Sequence, residues 1–274
     1  MLKDAPLCLI AHLTGLFNGA YIHGYPLSHL KTLTIFPILK NPDKDHHDPL
    51  SLLFKAYESL LLPRISGVLE DPSNAHNIPN NSFGFRPEKG CRDALTCLRE
   101  TILANKFDFQ TPTPVYAAFL DIEKAFDRVS RPILWERLWE SGIRGRLWRA
   151  ARGIFSGFQG RVRANHHLTS PFSIDTGVIQ GSRLGPTLFN VFFSPLLRTL
   201  NSLPGARLPD GTSLSALAYA DDLVVLANSP SELQSLLDAC SNFALESGFR
   251  FSATKSKVML FNASSHTPAP NHTQ

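Results

Sequence analysis

The chain has 274 residues, of which 43% are hydrophobic and 18% charged, which excludes an intrinsically disordered protein and suffices for one large domain or two coupled subdomains. A formal charge of +4 permits a polyanionic partner without demanding one. The four cysteines, Cys8, Cys91, Cys97 and Cys240, have neither zinc spacing nor disulfide density and read as reduced thiols of a soluble, intracellular protein, nuclear or cytoplasmic.

The apolar opening from Leu7 to Leu16 is interrupted by His12 and is too short to span a bilayer, so no membrane partner is expected. Loops follow at Asn41 to Pro49 and Asp71 to Asn81. Between them Leu53, Tyr57, Leu60 and Leu61 recur at helical spacing, and Pro63 should disturb the end of that run. A second helix is predicted with Cys91, Leu95, Leu98 and Ile102 on one face. Val115 to Ile122 reads as a buried strand, and the change of pattern after Glu123 as a helix. From Arg128 to Arg163 arginines greatly outnumber acids, which suits either phosphate binding or a solvated helix face.

Short strands are predicted at Gly160 to Arg163 and Phe172 to Val178. The loop Gly181-Ser182-Arg183-Leu184-Gly185-Pro186 then leads into a helix over Thr187 to Leu200. Leu214 to Ala220 and Leu223 to Ala227 form a hairpin with Asp221-Asp222 at its turn. Ser229-Pro230-Ser231-Glu232 combines a cap, a proline at the first helical position and a capping-box acid. The stripe Leu233, Leu236, Leu237, Cys240, Phe243 and Ala244 faces the core, and Gly248 ends the helix. Arg250 to Ser252 and Val258 to Phe261 are short strands, and Asn262 to Gln274 is a polar, disordered tail. The pattern is mixed α+β, with helices covering one face of a largely antiparallel sheet.

Three carboxylates stand inside apolar strands: Asp121 in Phe119-Leu120-Asp121-Ile122, and Asp221-Asp222 between Tyr219-Ala220 and Leu223-Val224. Unpaired charge is costly to bury, and hard oxygen donors suit magnesium, so convergence of the two segments would make a divalent metal site. Taken singly, Asp121 could cap a helix and Asp221-Asp222 could be an acidic turn.

Phe119 to Val129, Gln180 to Asn190 and Tyr219-Ala220-Asp221-Asp222 resemble, in order, the central palm motifs of reverse transcriptases, most closely those of the non-LTR (LINE-type) retrotransposons. Asn81-Ser82-Phe83-Gly84-Phe85-Arg86-Pro87 is similar to the fingers motif of that branch. Phe36 to Lys40 with Pro49 to Leu53, and Gly248 to Lys257, are similar to the motifs before and after. The resemblance implies an α+β right-hand polymerase fold with fingers and palm, its antiparallel palm sheet covered by helices. Residues 1–114 would be mainly fingers with an N-terminal helical region, and 115–261 the palm, with 131–165 partly fingers-side helices. Carried to the end of the chain, it leads one to expect that the thumb and a preceding endonuclease are missing.

The activity so implied is RNA-directed DNA polymerase, using two Mg2+ ions, with Mn2+ as a substitute, deoxynucleotides, an RNA template and a DNA primer. Asp121, Asp221 and Asp222 would ligate the metals, and Lys255 would donate a proton to leaving pyrophosphate. Phe126 would exclude a 2′-hydroxyl, while Gln180, Gly181 and Tyr219 would lie along the nucleotide. Arg86 and Lys40 would bind triphosphate or template backbone. This chain departs from the family pattern at Asp48, where an Arg is usual before the Pro-x-Ser-Leu-Leu run, at Ser252 for Asn and at His29 for Trp. Two other readings are an inert nucleic-acid-binding remnant, motivated by Asp48 and the expected lack of a thumb, and another palm enzyme such as an RNA-dependent RNA polymerase.

Overall fold

The computed structural model describes residues 6–24, 30–35, 52–107, 111–164 and 167–263. Lys40, Asp48 and His29 lie outside them. Helix α1 (Leu7–His23), strand β1 (Thr32–Ile35), and helices α2 (Leu52–Leu69) and α3 (Cys91–Phe107) come first, followed by β2 (Val115–Leu120), α4 (Arg131–Glu140) and α5 (Gly145–Phe155). Strands β3 (Gln159–Ala164), β4 (His167–Leu168) and β5 (Phe172–Ser173) precede α6 (Gly185–Asn201) and the short pair β6 (Ala206–Arg207) and β7 (Ser213–Leu214). The hairpin β8 (Ala216–Tyr219) and β9 (Asp222–Ala227), helix α7 (Pro230–Ser247) and strand β10 (Lys257–Phe261) complete it. No helix among the described residues is long and apolar enough to cross a membrane.

The chain folds into two compact units, one from residues 1–77 with 131–185 and one from 78–130 with 186–274. In the first, β1 runs parallel to β3, which pairs antiparallel with β4 and β5. Its core is built from Phe54, Leu61, Ile65 and Leu69 of α2, Leu134 and Leu138 of α4, and Ile154 and Phe155 of α5. Helix α2 continues through Pro63, where the end of the run is expected, because Ile65 and Leu69 beyond it are fully buried and offset one lost backbone bond. The arginine-rich stretch divides. Arg144, Arg146, Arg149 and Arg152 are exposed, whereas buried Arg131 donates to the carbonyls of Phe155 and Ile174 at 2.7 Å each and Gly177 at 2.9 Å.

The second unit is organised on an antiparallel sheet of order β10-β2-β9-β8. One face carries Val115, Ala117, Phe119, Leu217, Val224 and Leu226 against Ala94, Leu98 and Ile102 of α3. The opposite face, with Tyr116, Ala118, Val225 and Ala227, is also buried, and α7 runs against β2 and β9. Helices therefore cover both faces rather than one. The uninterrupted apolar runs in β2 and β9, without polar alternation, are the sequence mark of that arrangement.

Other expectations are corrected locally. On α3, Cys91 and Leu95 are exposed, and Thr101, Ala104 and Asn105 are buried instead. Asn105 tolerates this because its Nδ2 donates to Thr101 O and Arg207 O, at 2.8 and 2.9 Å. No helix follows Glu123: residues 123–128 form turns, with Lys124 at φ 50° and its carbonyl accepting from Asp127 and Arg128. The strand expected at Phe172 to Val178 is only β5, and Arg250 to Ser252 is a single bridge, Ile122 to Phe251. Asn262, assigned to the tail, is anchored, its Nδ2 donating to Ile102 O at 2.9 Å; residues 264–274 lie outside the described set.

Helix α7 starts as predicted. Ser229 Oγ accepts from the Glu232 amide at 3.2 Å, and Gly248 closes the helix at φ 79°. The Glu232 carboxylate takes the amide of Asn228, one residue before the cap, at 3.1 Å. Ser229→Ala is expected to lower the unfolding free energy by about 1 kcal/mol. Urea denaturation with an unchanged m-value checks this, and an unshifted midpoint would count against the cap.

Candidate active site

The three aspartates meet through strand register. Pairing of Leu120 with Leu223 between β2 and β9 places Asp121 just past the end of one strand, while Asp222 begins the other and pairs with Tyr219 across the hairpin. The turn is made by Ala220, at φ 56°, and Asp221. The segment after α7 lies along the other side of Asp121. Its amide donates to Ser256 Oγ at 3.2 Å, and its carbonyl accepts from the Ser252 amide at 2.8 Å. Ser252 thus reaches Asp121 through its backbone, while its Oγ lies 3.2 Å from Thr254 Oγ1.

The electrostatics call for a cation. Burial, and then the nearby Asp221 and Asp121, push the Asp222 carboxyl above the usual carboxylate range. The Oδ2 atom of Asp121 is shielded from solvent and takes no hydrogen bond. Lys255 Nζ stands 3.3 Å from it as an ion pair, and the lysine itself is exposed. Among the described residues no group of three or more His, Cys, Asp or Glu side chains is placed to hold a metal ion by itself. The donors available are carboxylate oxygens, the chemistry that suits magnesium, an ion that takes few protein ligands and leaves positions to water and substrate phosphates. Asp121, Asp222, Tyr219 and Lys255 line a cleft of about 350 Å³ whose apolar wall includes Leu95, Leu98 and Val224.

The fingers-like motif supports this turn. Ser82 bridges to Ala218 in parallel, the Phe83 amide donates to Ala218 O at 2.8 Å, and the Ala218 amide donates to Asn81 O at 2.9 Å. Gly84 lies so close to the turn that a Cβ on it would stand 2.4 Å from the Ala220 nitrogen, and Asn190 of α6 donates to its carbonyl at 2.8 Å. Exposed Phe85 stacks on Tyr219 at 6.5 Å. Arg86 Nη1 donates to Pro79 O at 2.6 Å and Ser82 O at 2.9 Å, shaping this loop. Phe126, half-buried in the turns after Asp121, stacks on Phe189 at 4.9 Å.

Gln180 and Gly181 belong to the first unit, where both are exposed on a turn with Gly181 at φ 84°. Behind them Glu58 of α2 accepts from Ser182 Oγ and, at 2.8 Å, from the Arg183 amide. Burial pushes the Glu58 carboxyl upward, and the bonds from Ser182 and from the Arg183 and Leu184 amides act against that shift.

The sequence profile of the family described as Reverse transcriptase (RNA-dependent DNA polymerase) matches residues 39–272. The chain belongs to the reverse transcriptase family. It is 32% identical over 265 residues to an RNA-directed DNA polymerase from the mobile element jockey of Drosophila funebris, covering 92% of this chain and 28% of that protein. It is 30% identical over 198 residues to a retrovirus-related Pol polyprotein from the type-2 retrotransposable element R2DM of Drosophila melanogaster, covering 72% of this chain and 18% of that protein. The chain thus spans less than a third of either relative. These relatives are non-LTR retrotransposon proteins, the branch that the motifs resemble. Apo telomerase from Candida tropicalis, truncated from its C-terminal domain, shares the fold at a TM-score of 0.58 and 13% identity, over 76% of this chain and 41% of that one. The family generally uses divalent metal ions.

Sequence reasoning did not single out Gly84, Asn190, Ser256 or Glu58. Only Gly84 carried a signal, a glycine between two phenylalanines, where close backbone approach is one reason for the residue. Gly84→Ala should displace the Ala220 turn and cost about 1 to 3 kcal/mol by overpacking. Denaturant midpoints check this; a variant as stable as wild type would contradict the close approach.

Proposed function

We propose that this chain is the polymerase core of a reverse transcriptase, an RNA-directed DNA polymerase that adds deoxynucleotides to a primer 3′-hydroxyl on an RNA template. The observation that carries the reading is the strand register that brings Asp121 and Asp221-Asp222 to one end of the sheet, close enough for Asp221 and Asp121 to raise the Asp222 carboxyl. In it, residues 1–114 serve mainly as fingers and 115–261 as palm. Asp121 and Asp221, supported by Asp222, would hold two Mg2+ ions or Mn2+. Bound there, the metals would supply activation of the attacking hydroxyl and charge balance on the triphosphate.

The remaining work falls to the chain's own side chains. Lys255, whose Nζ lies 3.3 Å from Asp121 Oδ2, balances charge at the carboxylate and is the proposed proton donor to the leaving pyrophosphate. Phe126, held against Phe189, would place its ring where a ribose 2′-hydroxyl would project. Tyr219 lines the cleft beside the aspartates. Gln180 and Gly181 would lie along the incoming nucleotide, the glycine letting backbone come close. Arg86, and Lys40 outside the described residues, are the proposed contacts to triphosphate or template backbone.

Labelled deoxynucleotide incorporation on a primed RNA template with magnesium tests the reading. Asp221→Asn should reduce incorporation by at least about a hundredfold, the scale of losing charge stabilisation at a reacting centre; equal product from both proteins would reject the metal site. Phe126→Val should admit ribonucleotides that wild type refuses. A wild type that already accepts both sugars equally would remove that role from Phe126 and favour an RNA-synthesising palm enzyme.

A further inference from the structure

The roles above leave unused a carboxylate with no solvent exposure at all. Glu58 is 0% exposed within the first unit. Burying an acid this way is costly unless hydrogen bonds meet it, and here the bonds come from the nucleotide loop. Ser182 Oγ donates to one carboxylate oxygen and the Arg183 amide to the other, at 2.8 Å. Ser182 passes the connection on in both directions. Its Oγ accepts from the amide of Gly185, the first residue of α6, at 3.0 Å, and its own amide donates to Ile179 O at 3.1 Å. One acid therefore ties down residues 182 to 185, directly after exposed Gln180 and Gly181. Gly181, at φ 84°, supplies the reversal that makes the loop project.

We infer that Glu58 is a positioning residue of the polymerase site, holding the Gln180-Gly181 turn in the shape that receives the incoming nucleotide. The inference rests on the polymerase reading of that turn. The chemistry requires a carboxylate because both converging groups are donors, and an ionised acid offers only acceptors. A glutamine can accept from the Arg183 amide, but its NH2 must then face Ser182 Oγ, which already accepts from Gly185, so the serine proton loses its acceptor. Alanine at 182 cuts the same connection from the other side and keeps the carboxylate. The arrangement also differs from a simple helix cap. A cap would sit beside its own helix in sequence, whereas this acid reaches the loop from a distant helix of the same unit.

The test compares the full chain with Glu58→Gln, Ser182→Ala and the double variant. It measures circular dichroism, primer–template affinity, deoxynucleotide KM and kcat, and amide hydrogen exchange over residues 180–185. A positioning role predicts retained fold and primer–template affinity, faster exchange at 180–185, and a deoxynucleotide KM raised about tenfold, the scale of one hydrogen bond to a charged group. It also predicts kcat within about twofold, since the loop orients substrate without touching the reacting atoms. The double variant should be no worse than the poorer single one, because both substitutions break the same connection. If Glu58→Gln does not fold, Ser182→Ala alone decides by the same measurements.

An active wild type whose variants keep an unchanged KM would overturn the positioning role and leave the polymerase reading intact. So would variants that lose KM, kcat and primer–template affinity together with thermal stability, the pattern of a merely structural acid. A wild type that incorporates no nucleotide would overturn the polymerase reading, and with it the purpose assigned to Glu58, even if exchange at 180–185 still quickened.

Discussion

The antiparallel pairing of β2 with β9 is the constraint on which the site depends. Side chains alternate across a strand, so a register shift of one residue would turn Asp121 or Asp222 to the opposite face. The register is held because both faces of both strands are buried, α3 covering one and α7 running against β2 and β9. Slippage would expose or clash apolar side chains along Val115 to Leu120 and Leu223 to Ala227 together. The same pairing crowds the acids at its end, where partial burial and the neighbouring Asp221 and Asp121 push the Asp222 carboxyl upward and Lys255 pairs with Asp121.

Around that pairing, contacts that are structural in kind define where the acids can be. The turn at Ala220 and Asp221 is a tight reversal with a non-glycine residue at positive φ, a conformation that needs support from outside itself. The backbone of Asn81 to Gly84 provides it, bridging to Ala218 and leaving no space for a side chain at position 84. Asn190 then holds the Gly84 carbonyl. On the other side, Ser252 and Ser256 bond the backbone of Asp121, while Lys255 between them meets its carboxylate. Segments far apart in sequence therefore support the two short stretches of backbone that carry the acids, the hairpin turn and the end of β2.

The first unit shows the same logic with different parts. A helix with a proline inside it continues into buried Ile65 and Leu69, and it carries Glu58 into the interior, where a serine and a backbone amide meet it. Arg131 and Lys31 are likewise buried against backbone carbonyls, Lys31 donating to Gly153 and Ser156 at 2.6 Å each with its pKa lowered to about 8 by burial. Charged groups here tie loops to helices, a task for which directional hydrogen bonds are better suited than apolar contact.

The sequence by itself determined the family, the order of the motifs, the hairpin bearing Asp221-Asp222, the start of α7 at Ser229 and its end at Gly248. Each is written in local residue chemistry: a cap, a proline, a glycine, an apolar run broken by an acid. It did not disclose the turns after Glu123, the continuation of α2 past Pro63, the true buried face of α3 or the coverage of the sheet on both sides. Those depend on which distant surfaces meet, and burial of Ile65 or hydrogen bonding of Asn105 outweighs local propensity. Only the tertiary structure decided that Gly84 abuts the aspartate turn, that Lys255 reaches Asp121 and that Glu58 holds Ser182. Such contacts join residues with no spacing rule between them, because they are set by chain crossings in space and not by any period along the sequence.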